Sequence, residues 1–109
     1  MAILQIVSNF TVSTVDTIEM AFTSPVDKST VIAAFTAANN STVNASYKAY
    51  IVSSGGVVQP QRPFKIVVWG ESDLGIGVVN QVIPPGGELR IEMSALNSIY
   101  LTATGRQDD

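Results

Sequence analysis

Apolar and polar residues alternate along most of this chain, and the alternation is clearest between Val82 and Gly105. Two runs in this region place an apolar side chain at every second position, which is the period of a β-strand with one buried face. The alternating residues are Leu89, Ile91 and Met93 in the first run and Ile99, Leu101 and Ala103 in the second. Turn residues precede and separate the two runs, at 84–87 and 95–97. The pattern therefore predicts two successive strands, preceded by a third that ends at Ile83.

The rest of the chain predicts further short strands. Pro25 ends one of them because proline cannot donate a hydrogen bond to a sheet, and the Asn/Ser/Thr run at 39–44 is typical of a turn. The alanines of Thr30–Ala38 are compatible with a helix, but Val31, Ile32 and the threonines favour a strand. Besides the two alternating runs, the predicted strands are Leu4–Val12, Thr17–Ser24, Thr30–Ala38, Ala45–Ser53, Phe64–Trp69 and Val78–Ile83, the last being the strand that ends at Ile83. About eight short strands predict an all-β fold, a single antiparallel β-sandwich or jelly-roll-like domain.

A chain of 109 residues has room for one domain with a single core. We expect an N-terminal strand or arm at 1–15, the β-sandwich at 16–105 and a flexible tail at 106–109. Longer loops are expected at 53–63 and 70–77, where glycine, proline and polar residues interrupt the alternation. Our hypothesis for residues 1–15 is that they reach beyond the sandwich to a neighbouring molecule.

Composition narrows the classes of function. Only 14 % of the residues are charged, the net charge is −3, and the six Lys and Arg residues are scattered. Nucleic-acid binding needs a concentrated basic surface, so it is not expected. The absence of His and Cys removes the commonest general base, the commonest metal ligand and any disulfide. No signal-peptide pattern and no apolar run of ~20 residues is present, so we expect a cytosolically made protein without a membrane partner.

The carboxylates are the first candidates for a metal-binding or catalytic site. Glu71 and Asp73 lie two residues apart, Asp108 and Asp109 could reach the same loop, and oxygen-rich loops can bind Ca²⁺. A solvated turn is the favoured alternative because Ca²⁺ loops normally supply more ligands. A glycosidase pair of carboxylates is also disfavoured, since no acidic residue lies in an apolar sequence context that would raise its pKa. Without a nucleophile and a base in a recognisable arrangement, we expect no enzymatic activity, no metal and no cofactor.

Aromatic and large apolar residues are candidates for binding. Four aromatic residues could form a surface that stacks against sugars: Tyr47, Tyr50, Trp69 and Tyr100. Aromatic residues in alternating strands belong more often to a core or to a protein interface. The residues predicted to form an interface are Ile3, Leu4, Ile6, Phe10, Tyr50, Trp69 and Tyr100.

The order of these features points to a family. Pro25 precedes a polar loop and the strand sequence Thr30–Asn39, and an Asn/Ser/Thr turn leads into Tyr47–Gly56, which ends in Ser-Ser-Gly-Gly. After a long loop come Ile83–Ala95 and a last strand that ends in Thr-Gly at 104–105. This order resembles the small β-sandwich virion proteins of tailed bacteriophages, which are often encoded among head and tail genes. The resemblance covers about 24–105 and consists of structural turns, and Pro-Pro-Gly-Gly stands where Gly-Asp is common in that family.

The resemblance implies a structural protein of the virion that has no cofactor and is made in the cytoplasm of the bacterial host. We expect a capsid decoration or cement protein that stabilises the head by associating with its own copies and with other virion proteins, in particular the major capsid protein. The alternative is a tail, fibre or baseplate module that binds a host-surface carbohydrate or another tail protein, through Trp69 or the loop 54–63.

Overall fold

The computed structural model describes residues 3–54, 62–67, 69–75 and 78–108, with the backbone alone for 62–66 and 108. Nine strands lie in these ranges. They are β1 (Leu4–Phe10), β2 (Glu19–Thr23), β3 (Ser29–Asn39), β4 (Ala45–Val52), β5 (Arg62–Val67), β6 (Ser72–Asp73), β7 (Val82–Ile83), β8 (Glu88–Met93) and β9 (Ile99–Asp108). The prediction of an all-β fold is confirmed. Within the described ranges, no helix is long and apolar enough to cross a membrane.

The strands form two antiparallel sheets. Sheet A has the order β1-β9-β3-β6, with β7 also paired to β3, and sheet B has the order β2-β8-β4-β5. Because β6 and β7 pair with opposite ends of β3, they act as two pieces of one interrupted strand. Counted in this way, each sheet has four strands, and their order is that of an eight-stranded jelly roll. The predicted sandwich is therefore confirmed, together with the expected number of about eight strands.

The core fills the space between the two sheets. Side chains alternate inward and outward along β3, β4, β8 and β9, as the sequence period requires. Sheet A contributes Ile32, Phe35, Ala37, Ile99, Leu101 and Ala103, and sheet B contributes Ala45, Tyr47, Ala49, Ile51, Leu89, Ile91 and Met93. Tyr47 is completely buried, and its ring packs against that of Phe35 with the centroids 5.7 Å apart. Burial of each large side chain stabilises the fold by roughly 1.5–3 kcal/mol, so this alternation is the main determinant of the architecture.

Two predicted boundaries in the middle of the chain are wrong. The expected loop at 70–77 contains β6, which pairs with Ala37 and Ala38. The expected strand at 78–83 is reduced to Val82–Ile83, because Val78 and Gln81 donate turn hydrogen bonds to Gly75 and Val78. Most of the predicted long loop, 55–61, lies outside the described residues.

The two predictions for the chain termini have different outcomes: the flexible tail is wrong, whereas of the alternatives for residues 1–15, a strand or an arm, the strand is found at Leu4–Phe10. Residues 106–108, expected to be a flexible tail, form the end of β9, since the eleven residues of β3 provide a partner as far as Asp108. The proposed N-terminal arm does not leave the sandwich, because Leu4–Phe10 pairs with β9 and Ile6, Val7 and Val12 are buried in the core. The connection that follows, at 13–18, is exposed along its whole length.

Candidate interaction surfaces

The side chains predicted to form an interface do not lie on one surface. Ile3 and Trp69 are 68 % and 58 % exposed, but Ile3 precedes the edge strand β1 and Trp69 follows β5. Tyr50 and Tyr100 lie on the outer faces of sheets B and A. Leu4 and Phe10 are half-buried in β1.

The assignment of Ile6 to an interface is wrong, since Ile6 belongs to the core. A register shift between Gln5 and Val7 interrupts the pairing of β1 with β9. At such a bulge the strict alternation of side chains is lost. Ile6 and Val7 therefore both face inward, in a way that simple alternation does not predict.

The four aromatic residues do not form a common surface that could stack against sugars. Tyr47 is fully buried, while Tyr50 and Tyr100 lie on opposite sides of the sandwich. The Tyr50 hydroxyl donates a hydrogen bond of 3.0 Å to Glu92. Partial burial, followed by this hydrogen bond and the charge of Glu92, raises the pKa of Tyr50. Trp69 remains the one member of the four that presents most of its side chain to solvent.

The carboxylates of the loop at 71–73 are not arranged as a Ca²⁺ site. Asp73 accepts a hydrogen bond of 2.5 Å from the Tyr47 hydroxyl and one of 2.9 Å from the Gly75 backbone N–H. Asp108 pairs with Ser29 and Asp73 with Ala37, eight residues apart on β3, or about 27 Å along the strand. Asp108 therefore cannot reach this loop, and the described residues contain no cluster of three or more possible metal ligands.

Four connections meet at one end of the sandwich, which we call the loop end: 11–18, 40–44, 69–71 and 94–98. Backbone hydrogen bonds join them. Asn40 donates to Ser98 at 2.8 Å, Gly70 to Asn39 at 2.9 Å, and Asp16 to Met93 at 2.8 Å. The loop end exposes the large apolar side chains of Val15, Ile18, Val43, Trp69 and Leu96. Because these five side chains share one end of the domain, the loop end is a candidate interaction surface.

The buried Asn39 side chain holds one of the four connections of the loop end, the turn at 40–44. Its amide nitrogen donates hydrogen bonds to the carbonyls of Val43 and Val67, at 2.9 and 2.8 Å. Its amide oxygen accepts bonds from the Ser41 backbone N–H and hydroxyl, at 3.0 and 2.7 Å. One side chain therefore connects the turn after β3 with the end of β5.

The outer faces of the two sheets differ in charge. On sheet B, Arg90 forms an ion pair of 2.8 Å with Glu88, and Lys48 is in register with Glu92. On sheet A, the outward positions of β3 and β9 are mostly short and uncharged: Val31, Ala33, Ala34, Thr36, Ala38, Tyr100, Thr102 and Thr104, followed by Arg106. We call this surface face A. Among the described outward side chains of β3 and β9, Arg106 alone carries a charge.

Two cavities in the described part of the chain are small. One of about 80 Å³ lies between Asp16, Lys48 and Glu92, and another of about 130 Å³ is a depression between Thr36 and Thr102 on face A. Pockets that enclose small organic ligands usually have volumes of about 300 Å³ or more. These two cavities therefore suit ordered water better than a substrate.

The surfaces described above could be found only in part from the sequence. Alternation predicts which residues of β3 and β9 face outward, so face A is visible in the sequence once the strands are assigned. The loop end could not be found, because its connections are far apart in the chain and meet only through the order of the strands.

Comparisons of the chain with models of protein families, with curated proteins and with solved structures gave no match.

Proposed function

We propose that this chain is a non-enzymatic structural protein of a bacteriophage virion, a capsid decoration or cement protein that binds the head shell and its own copies. The observation on which the proposal depends is face A, a broad sheet surface whose described outward side chains on β3 and β9 include a single charge. The jelly-roll strand order supports the proposal by analogy, since this fold is frequent among viral capsid proteins but also occurs in lectins and enzymes.

The chemistry of face A suits contact with another protein. Depletion of charged residues distinguishes the centre of protein interfaces from the rest of the surface. Alanine and threonine lose little side-chain entropy when they are covered, and they have no charge to desolvate. The outer face of sheet B has paired charges instead, as in the contact between Arg90 and Glu88, and suits exposure to solvent.

The loop end provides a second surface with anchors for a partner. Trp69 is 58 % exposed and Val43 is 56 % exposed, and tryptophan is among the residues that contribute most to protein interfaces. We assign contact with the head shell to the loop end, because the Asn39 side chain and backbone hydrogen bonds between the connections hold it in place before binding. A preformed surface loses less entropy on association than a flexible one.

Purified phage heads that lack this chain provide the test. Adding back the wild-type chain should give binding that saturates at hundreds of copies per head and should raise the temperature at which heads rupture. Trp69→Ala should weaken this binding about tenfold or more, while Tyr50→Ala on sheet B serves as the matched aromatic control and should bind normally. Saturation at a handful of copies, or unchanged rupture, would contradict a role as a cement protein.

A tail or fibre module that binds carbohydrate is the second candidate. The exposed Trp69 favours it, because Trp69 lies beside Asn44, whose side-chain oxygen accepts a hydrogen bond of 3.1 Å from the Trp69 backbone N–H. An exposed aromatic ring can stack against a sugar, and a neighbouring amide can orient the sugar through hydrogen bonds. Reduced phage adsorption by Trp69→Ala, with intact particles and a positive glycan array, would favour this function over the first.

A further inference from the structure

We infer that face A binds face A of a second copy, with the strands of the two copies running antiparallel across the interface. This inference rests on the proposed function only in that self-association is part of it. Beyond self-association as such, the inference specifies which surface the copies use and how their strands are aligned.

The edges of the sheets are poorly suited to joining two copies. β1 has two register shifts, and Asn9 adopts a left-handed backbone conformation with φ of 52°. β2 has one register shift, β5 has another and also contains Pro63, and β6 and β7 cover the outer edge of β3 with two residues each. Bulges, proline and very short strands are the features that prevent edge-to-edge pairing. Association of copies through a sheet is therefore expected at a face.

The two ends of face A complement each other. Tyr100 is in register with Ala38 and Ser72, whereas Arg106 is in register with Val31 and Val82. Tyr100 and Arg106 both point outward from β9. They are six residues apart, or about 20 Å along the strand. Face A thus has an aromatic ring at one end and a guanidinium group at the other.

This polarity selects one arrangement of two copies. A two-fold axis that lies in the interface and crosses the strands reverses their direction, so it places Arg106 of each copy over Tyr100 of the other. A guanidinium group over an aromatic face is attractive, and the two-fold axis makes the contact twice. An axis parallel to the strands would instead bring the two Arg106 ends together, where like charges repel.

The uncharged centre of face A is compatible with the same arrangement, but the small area of the surface limits the affinity of the dimer. Thr102 and Thr104 lie between Tyr100 and Arg106 and are in register with Thr36 and Ala34. Together with the flanking strands β1, β6 and β7, face A belongs to a four-stranded surface of about 19 Å by 24 Å, or roughly 450 Å² per copy. Two such surfaces bury about 900 Å² in total, which is below the range of stable specific interfaces and within that of weak, transient ones. We therefore expect a weak dimer in solution, which is favoured further when many copies are concentrated on one particle.

Sedimentation of the purified full-length chain tests the surface. The wild-type chain should show a reversible monomer–dimer equilibrium at concentrations up to about 1 mM. Thr102→Lys puts a charge at the centre of face A and should raise the dissociation constant at least about tenfold. Thr23→Lys, at an exposed position on β2 of sheet B, is the matched control and should change it little. A wild-type chain that stays monomeric, or equal effects of the two substitutions, would overturn the inference.

Cross-linking tests the alignment and does not depend on Thr102→Lys folding correctly. The chain has no cysteine, so Tyr100→Cys and Arg106→Cys each introduce a unique thiol. When the two variants are mixed with a short thiol-specific cross-linker, the product that joins one variant to the other should exceed both products of like chains. A predominance of products between like chains would overturn the antiparallel arrangement.

The two proposals can fail separately. Binding to heads that survives Thr102→Lys, with a wild-type chain that never dimerises, would overturn the face A dimer and leave the cement function standing. A dimer that is weakened by Thr102→Lys in a chain that never binds heads would overturn the cement function and support the contact between copies.

Discussion

The hydroxyl of Tyr47 in sheet B donates a hydrogen bond of 2.5 Å to the carboxylate of Asp73 in sheet A. Asp73 also accepts the backbone N–H of Gly75, so one carboxylate connects the short strand β6 to the opposite sheet. Burial, this hydrogen bond and the negative charge of Asp73 all raise the pKa of Tyr47. Tyr47 thus stays a neutral donor, and the bond holds the interrupted edge of sheet A on the sandwich.

Tyr47→Phe should therefore destabilise the protein by about 1.5–3 kcal/mol, the usual contribution of a hydrogen bond to a charged group. Tyr50→Phe is the matched control, because the Tyr50 hydroxyl also bonds a carboxylate, that of Glu92, but on the outer face of sheet B. The control should change the free energy of unfolding by less than about 0.5 kcal/mol. Urea denaturation of the wild type and the two variants measures both changes. Equal losses in the free energy of unfolding would show that the hydrogen bond between the sheets contributes no more to stability than the one on the outer face of sheet B.

Asn39 provides a second test of buried polar contacts. Asn39→Asp keeps the shape of the side chain but replaces the amide that donates to Val43 and Val67 with an oxygen. A carboxylate oxygen would then face two carbonyl acceptors in a buried site, so we expect a loss of at least about 2 kcal/mol. Asn40→Asp introduces the same charge at an exposed neighbouring position and should cost under about 0.5 kcal/mol. A thermal unfolding series of the two variants distinguishes a general effect of charge from loss of the Asn39 contacts.

The sandwich could be predicted from the sequence because one physical rule determines it. Successive side chains in a strand point to opposite faces, so the alternation through Leu89, Ile91 and Met93 already identifies the core side of β8. The same rule fails at Ile6, where a register shift turns two consecutive residues inward. It fails again at β6, whose two polar residues have no alternation and pair because the edge of β3 is available.

The contacts that shape the candidate surfaces are beyond such reasoning. Tyr47 and Asp73 are 26 residues apart and meet only because the two sheets stack. The end of β9 is polar, so nothing in its pattern distinguishes a strand from a tail, and its pairing follows from the length of β3. Long-range order of strands determines both features, and local hydrophobic periodicity contains no information about it.

Glu19 should make the stability of the protein depend on pH. Its carboxylate accepts hydrogen bonds from the backbone N–H groups of Ser13 and Thr14 and from the Ser13 hydroxyl, at 2.8–3.1 Å. The Ser13 N–H has the largest effect and lowers the pKa of Glu19 below its ordinary value of 4.5; desolvation opposes this, and the Thr14 N–H and the Ser13 hydroxyl lower it further.

A lowered pKa in the folded state stabilises the fold above the pKa of the unfolded chain, and the stabilisation is lost as the pH falls through the folded value. Denaturation from pH 7 to pH 3 should therefore show a difference between the wild type and Glu19→Gln that shrinks on acidification. Ser13→Ala removes one of the bonds but keeps both backbone donors, so it should reproduce only part of the effect. A difference that is constant with pH would show that the charge of Glu19 has no role.

Gly75 is the position where an added methyl group should be most damaging. Gly75 has a φ of 61°, and a Cβ atom there would overlap the ring of Phe35, which is 3 % exposed and cannot move into solvent. Gly70 has a similar φ of 75° but no atom within 4 Å of an added Cβ. Gly70→Ala should therefore cost only the strain of a left-handed backbone, about 1–2 kcal/mol. Gly75→Ala should cost this strain plus about 1–3 kcal/mol of overpacking. If denaturation gave equal losses for the two variants, the close approach of Gly75 to Phe35 would not contribute to stability, and backbone conformation alone would explain both glycines.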